Sequence, residues 1–459
     1  MDELAFLTAT EQADLVRRGE VTPPELVDLY LERIERIDPE LNAYVTVCGD
    51  EARAAAAAGD LPDGPFRGVP MPIKDLNETA GIRTTFSSRA FADYVPTFDG
   101  AVVRRLKDAG FVVIGKTNTP ELGLTAVTES ELNGPCRNPW DTARTAGGSS
   151  GGAAAAVAAG LAPAAQGSDG GGSIRIPSSC CGLFGIKPAR GRVSPAPYGG
   201  LEGFSTSGPI ARTVADAAAL LDVMAGYETG DPYWAPPPER PFAEEAGRDP
   251  GRLKIALTTS PPIDAPVSSE CDAAAADAAA LLEQLGHSVE EATPAWGDDR
   301  LFAGFMKIWQ VIPALHQQPP ELFEPETRAL IESALQFGAV DYVRASAGLR
   351  DVSRRIVAFF DDYDLLLTPT LAQPPVPIGA LEDDDPWVQF ANAGRFTPFT
   401  QVANITGLPA VSLPLSWSDG GLPIGVQLVG RPADEATLVR VSAQLEQARP
   451  WRDRRPPVA

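Results

Sequence analysis

Two segments dense in glycine and serine stand out from the rest of the chain. Gly147-Gly148-Ser149-Ser150-Gly151-Gly152 and Ser168-Asp169-Gly170-Gly171-Gly172-Ser173-Ile174-Arg175 place four serine hydroxyls among backbone that can turn sharply. Such segments suit a serine nucleophile with amide N–H donors around it; a pair of flexible loops is the bland alternative. A phosphate-binding loop would end in Gly-Lys-Ser or Gly-Lys-Thr, which neither does, and no G-x-G-x-x-G opens a helix. Gly147-x-Ser149-x-Gly151 matches the nucleophile elbow of α/β-hydrolases in letters. That elbow needs a strand before it and a histidine later, whereas Cys136–Ala146 reads as loop. The chain has only two histidines, and both His287 and His316 read as structural or surface residues.

A serine without histidine needs another base. Lysine can serve once neutral, which requires its pKa to fall from ~10.4 to about 7–8 by burial or a neighbouring cation. Of the six lysines, Lys74 ends the most apolar approach, Val69-Pro70-Met71-Pro72-Ile73. No lysine lies three residues after a serine, so Lys74 would have to reach its serine through the fold. Lys116 closes a strand-like run and reads as a surface residue.

The elements that must position these groups alternate between strand and helix. Thr22 and Glu25 form a capping box for a helix over about 23–37, lined by Leu26, Tyr30, Ile34 and Ile37. Val69–Ile73 and Phe111–Ile114 read as buried strands flanking a helix near 100–109. The region 133–152 reads as loop until Gly151, and Ala153–Ala159 is a helix of small residues. Ile174–Ile176, Ile255–Leu257, Leu365–Leu367 and Ile424–Val429 are strand candidates; helices are expected near 213–225, 271–285 and 434–447. This alternation favours an α/β sheet covered on both faces. The proline- and acid-rich stretches 227–251 and 372–396 read as surface excursions or a lid.

Across 459 residues, 38 basic against 61 acidic side chains leave a net charge of −23. That field repels phosphate backbones and anionic membranes, so neither nucleic acid nor membrane is an expected partner. Two histidines exclude a multi-histidine metal site. Five cysteines without CxxC spacing read as reduced core residues, which suits a cytoplasmic chain. No apolar run reaches 18 residues and no basic-then-apolar leader opens the sequence, so a soluble, unexported protein is expected.

Taken together, Gly147–Gly152 and Asp169-x-Gly171-x-Ser173-Ile174-Arg175-x-Pro177 resemble the amidase signature family. The resemblance continues in Gly68-Val69-Pro70…Lys74-Asp75, in Gly115-Lys116-Thr117-Asn118-Thr119-Pro120-Glu121 and in Gly407-Leu408-Pro409-Ala410, covering nearly the whole chain. Ser168 stands where the family usually has threonine, and a hydroxyl remains. The resemblance implies one domain over 1–459: α/β, with a large mixed, mostly parallel sheet between helical layers. It implies a catalytic triad in which Ser173 forms the acyl-enzyme, Ser149 follows a non-proline cis peptide and bridges to it, and Lys74 is the neutral base. The N–H groups of Gly170, Gly171, Gly172 and Ser173 would form the oxyanion hole, where losing one donor typically costs ~10²–10³ in rate. Asp169 and Arg175 would hold the nucleophile loop, Ser150 would anchor its turn, and Asp75 and Asn118 would steady the lysine strand. No metal or organic cofactor is implied.

The resemblance is nearest to stand-alone bacterial amidases, among them those acting on nylon-type cyclic oligoamides, aryl acylamides and carbamates (urethanes). The rival is an amidotransferase subunit that releases ammonia from glutamine within a tRNA-amidating complex. Leu381-Glu382-Asp383-Asp384-Asp385-Pro386-Trp387 does not fit the segment such subunits carry there. The expected partner is a small-molecule amide or carbamate, and a homodimer is the assembly to test for. The segment 301–345, with Phe302, Phe305, Met306, Trp309 and Leu315, is the candidate for the variable pocket wall.

Overall fold

Thr22 caps its helix as the sequence predicts. In the computed structural model, which describes residues 2–198 and 201–459, its side chain accepts from the Glu25 N–H and the Glu25 carboxylate accepts from the Thr22 N–H. The helix runs Pro23–Leu41, and its buried Leu26, Tyr30, Ile34 and Ile37 make it strongly one-sided. Tyr30, Ile34 and Ile37 join an apolar cluster with the alanine helix Gly151–Ala158, every residue of which is buried. Small side chains allow this close approach, and the same helix begins directly after Ser149-Ser150.

Eight strands form the main sheet, in the order Ser288–Glu291, Lys254–Leu257, Leu365–Pro369, Pro423–Gly430, Ala410–Trp417, Phe184–Lys187, Thr206–Ala211, Ala164–Asp169. The sheet is mixed, as expected, but the expectation of mostly parallel pairing is corrected. Lys254–Leu257 runs parallel to both neighbours, and every other adjacent pair is antiparallel. The short link between Ala410–Trp417 and Pro423–Gly430 shows why: a hairpin turn joins antiparallel strands, whereas a parallel pair needs a long crossover. Alternate side chains then serve two cores. Ile255, Leu365 and Leu367 pack with the helices Val214–Met224, Ser269–Gln284 and Glu435–Ala448. Ala256 and Leu366 face the opposite way, toward Arg300–Trp309 and Ala339–Ala358.

A separate three-stranded sheet carries Lys74. Its order is Tyr44–Val47, Val112–Thr117, Pro70–Lys74, with the last two parallel. Pro70–Lys74 also lies against Ala164–Asp169 of the main sheet, which brings the lysine strand to the second serine segment.

Three local readings are corrected. Ile174–Ile176 is no strand: Ile174 caps the helix Arg175–Cys181, whose small residues Ser178, Ser179 and Cys180 are all buried. The region 133–152 contains the hairpin Arg137–Asn138 with Asp141–Thr145. The stretch 372–396 is more than a surface excursion, because it ends in the helix Pro386–Phe396, which reaches the cavity beside Ser173. The stretch 227–251 is largely exposed, apart from Phe242 and Glu245 in a one-turn helix. All five cysteines are free and buried, and among the described residues no helix is long and apolar enough to cross a membrane.

Candidate active site

Lys74 ends its strand with no exposed surface. Its backbone N–H donates to Gln166 Oε1 at 3.1 Å, pinning the strand end to Ala164–Asp169. Its Nζ lies 2.7 Å from Ser149 Oγ, 3.1 Å from Ser168 Oγ and 3.4 Å from the Ser168 carbonyl. Burial pulls its pKa down from 10.5 to about 7, although the Asp169 charge opposes the shift. A lysine in this state holds a lone pair at neutral pH and can accept a proton.

Ser149 follows a cis Gly148–Ser149 peptide. Its hydroxyl sits against Gly123, which holds φ at +71° and where a Cβ would come within 3.2 Å of it and 2.5 Å of a Leu76 methyl, so a side chain there would be strained and would displace Leu76. Ser173 lies between Ala164–Asp169 and the helix Arg175–Cys181; it is 7 % exposed and lines a cavity. Among the described residues no hydrogen bond joins its hydroxyl to Ser149. The two serine segments are tied instead through Ser150, whose hydroxyl donates to the Ser168 carbonyl and accepts from the Ser168 N–H, while its own N–H donates to the Ser173 carbonyl.

Asp169 and Arg175 form a wholly buried pair, not a surface salt bridge. Arg175 Nη2 and Nε donate to the two carboxylate oxygens at 2.9 and 3.0 Å. Burial pushes the Asp169 carboxyl up, but the Arg175 guanidinium overcomes this and, with Lys187 and Asn404, holds it at about 2. Asp169 Oδ1 also accepts from the Gly172 N–H at 2.7 Å, and Oδ2 from the Ile174 N–H at 3.2 Å. This corrects one expectation: the Gly172 amide points to Asp169 rather than into an oxyanion hole. Gly172 holds φ at +132°, and a Cβ there would meet Thr400 Oγ1 at 2.4 Å.

Several of these contacts come from residues that sequence reasoning missed. Asn404 donates to the Asp169 carbonyl and carboxylate, and Gln427 Oε1 accepts from Arg175 Nη1 at 2.6 Å. Gln427 had a legible signal, being the one polar side chain in the buried strand Pro423–Gly430. Asn404 and Gln166 had none. Lys116 is corrected from surface to fully buried: it donates to the Asn77 carbonyl and Thr84 Oγ1 and lies 3.5 Å from Asp75 Oδ1. Burial lowers its pKa to about 8. Asp75 Oδ2 accepts from both the N–H and the hydroxyl of Thr85, so it fixes the turn after Lys74. Asn118 donates instead to the carbonyls of Asn42 and Gly134.

The cavity at Ser173 is a slot of about 60 Å³, walled by Phe302, Phe305, Met306 and Trp309 and by Phe390 and Gly394 of the helix Pro386–Phe396. Phe305 stacks on Trp309 with centroids 5.1 Å apart. Leu315, the remaining wall candidate, is 60 % exposed and not among the lining residues. The slot shares Leu124, Thr125, Phe390 and Ala393 with an outer cavity of about 680 Å³. Neither histidine lines the slot: His287 is bonded to the Leu253 N–H and Gln444, and His316 packs against Phe86 and Phe91. Among the described residues no cluster of three or more His, Cys, Asp or Glu could hold a metal ion.

A family model described as Amidase matches residues 25–439. The chain belongs to the amidase signature family. It is 45% identical to a putative amidase, AmiB2, of Mycobacterium bovis, over all of this chain and 99% of that one. It is 38% identical to a 6-aminohexanoate-cyclic-dimer hydrolase of a Pseudomonas species, over 98% and 96% of the two chains. A solved structure of 6-aminohexanoate cyclic dimer hydrolase superposes with a TM-score of 0.95 at 37% identity, covering 99% of each chain. This amidase signature protein is accordingly an amidohydrolase acting on C–N bonds.

Proposed function

We propose that the chain hydrolyses neutral, apolar carboxamides through an acyl-enzyme on Ser173, with Ser149 and Lys74 as the proton relay. The observation that carries this reading is a buried lysine held near neutrality and bonded to Ser149 beside the cavity that Ser173 lines. Ser173 Oγ attacks the carbonyl carbon and passes its proton to Ser149, whose own proton moves to Lys74. The amides of Gly170, Gly171 and Ser173 receive the oxyanion; preset donors of this kind usually make the largest catalytic contribution. The relay then returns the proton to the leaving nitrogen, the C–N bond breaks, and water attacking along the same path frees the acid and Ser173. Amides depend on this return more than esters, because an amine leaves poorly until protonated.

The aromatic wall supports flat or extended apolar groups: aryl amides, oligoamides, and aryl carbamates, which offer the same carbonyl to the same donors and lose carbon dioxide after cleavage. The outer cavity adds a charge argument. Glu131, Glu326, Glu382, Asp383 and Asp384 line it, while burial and the neighbouring Glu121 push Glu324 up to about 8, and such a wall disfavours substrates of net negative charge. The test compares kcat/KM for an acyl-anilide, an aryl carbamate and free glutamine on the purified chain. The anilide is expected to lead. Glutamine ahead by about tenfold or more, a difference of ~1.4 kcal/mol in transition-state binding, would restore the amidotransferase reading.

A further inference from the structure

Three non-glycine residues near the serine segments hold left-handed backbone: Phe86, Ser87 and Leu122, each with φ of 51°. They sit on two loops that bond to each other, the Leu122 N–H donating to the Phe86 carbonyl at 2.8 Å. Such backbone costs a residue with a side chain energy and persists only where its surroundings over-determine it. The group in position to do so is Glu121, 3 % exposed, immediately before Leu122. The Ser88 hydroxyl donates to its Oε1 at 2.6 Å, from the first loop. The Glu324 N–H donates to its Oε2 at 2.9 Å, and Thr327 adds a further side-chain bond, both from the helix Pro325–Ala334 and its cap. One carboxylate therefore joins three segments distant in sequence.

The residues immediately after Glu121 form the partition between the two cavities. Gly123 packs against Ser149 Oγ, Leu124 and Thr125 line both the catalytic slot and the outer cavity, and the Leu124 carbonyl accepts from Trp309 Nε1 at 3.3 Å. Displacing Leu124 thus moves both the floor of the slot and the indole that closes it. We propose that Glu121 is a positioning residue that determines specificity, its carboxylate holding Leu122–Thr125 in the conformation that sets which amides reach Ser173. The inference rests on Ser173 being the nucleophile. Lys74 is secured by Gln166, Ser149 and Ser168, none of them on the Leu122–Thr125 loop, so its amine keeps its surroundings when that loop loosens, even though Gly123 packs against Ser149 Oγ.

The experiment uses the full chain with Glu121→Ala and Glu121→Gln. It measures kcat, KM and the pH midpoint of kcat/KM for a short-acyl and a long-acyl p-nitroanilide, with labelling by a small fluorophosphonate alongside. Glu121→Ala should raise KM by about tenfold or more and shrink the preference between the two anilides, as expected when a substrate wall shifts by ~1 Å. Its pH midpoint should stay that of the wild type. Glu121→Gln should recover most of the loss, because an amide can accept from the Glu324 N–H while donating to the Ser88 hydroxyl. A structural role alone would not alter the preference while sparing the midpoint. Should Glu121→Ala fail to fold, Ser88→Ala and Thr327→Val test the same bonds and should shift KM and preference in the same direction. The proposal is overturned if the folded variants keep KM and preference within about twofold of wild type, or if they lose kcat on both anilides equally with a moved midpoint. Labelling of wild type at a residue other than Ser173 would instead overturn the nucleophile assignment, so the two failures are distinguishable.

Discussion

Replacing Lys74 with methionine should make the protein more stable at neutral pH while removing its amidase activity. Lys74 is fully buried with its pKa lowered from 10.5 to about 7. The difference, 10.5 − 7 = 3.5, corresponds to about 5 kcal/mol of preference against the ammonium at ~1.36 kcal/mol per pH unit. The sign is set by where the proton is held. Between about pH 7 and about pH 10.5 the unfolded chain keeps a proton on this residue that the folded chain lacks, so wild-type stability rises with pH across that window. At neutral pH nearly the whole cost, of order 4 kcal/mol, is still borne by the fold. Methionine has similar length and no charge to desolvate. It forfeits the bonds to Ser149 and Ser168, at about 1 kcal/mol each, which leaves a net gain on the order of 1–3 kcal/mol. Urea denaturation of both proteins at about pH 7 and about pH 10 measures it, and the advantage of the variant should shrink at the higher pH. A variant less stable than wild type by the same amount at both pH values would mean that Lys74 is charged and favourably paired in the fold, and the argument for a neutral base would collapse.

Other consequences can be checked with the same protein. Amide kcat/KM should fall about tenfold per pH unit below a midpoint near 7, because protonating Lys74 removes the base; a flat profile between about pH 5 and 9 would exclude it from the relay. Ser173→Ala should abolish turnover with the urea midpoint unchanged, and a fluorophosphonate adduct should map by mass spectrometry to Ser173 rather than Ser149. Asp169→Ala should destabilise the fold by ~3–5 kcal/mol, since Arg175 would remain buried without its carboxylate; a loss below about 1 kcal/mol would show that Thr400, Gln427 and Asn404 suffice to hold the guanidinium.

The chemistry was legible in the sequence where it depends on residue type and local spacing. Glycine-dense backbone around Ser149 and Ser173 marks turns that side chains would obstruct, and Lys74, at the end of the most apolar approach of any lysine, marks a base that burial can neutralise. The start of the first long helix was readable for the same reason, since the Thr22 and Glu25 cap acts within a single turn, whereas its end lies at Leu41 and not near 37. Pairing and burial were not local. Ala164–Asp169 forms an edge strand from alanine, glutamine, glycine, serine and aspartate, residues with little strand preference, because its antiparallel partner Thr206–Ala211 lies some forty residues on. Lys116 and Lys74 both end apolar strand segments, and sequence alone did not place Lys116 inside. Lys116 is interior because the Asn77 carbonyl, Thr84 and Asp75 converge on it from a neighbouring turn, satisfying a charge that would otherwise stay in water. The Gly172 amide turns toward Asp169 because Arg175 keeps that carboxylate ionised beside it, and Phe390 joins Phe302 and Trp309 only when Pro386–Phe396 folds back onto the slot. A residue's chemical capacity is carried by its own atoms, but its protonation, its partners and its access to substrate are set by groups that only the tertiary fold brings within a few ångströms.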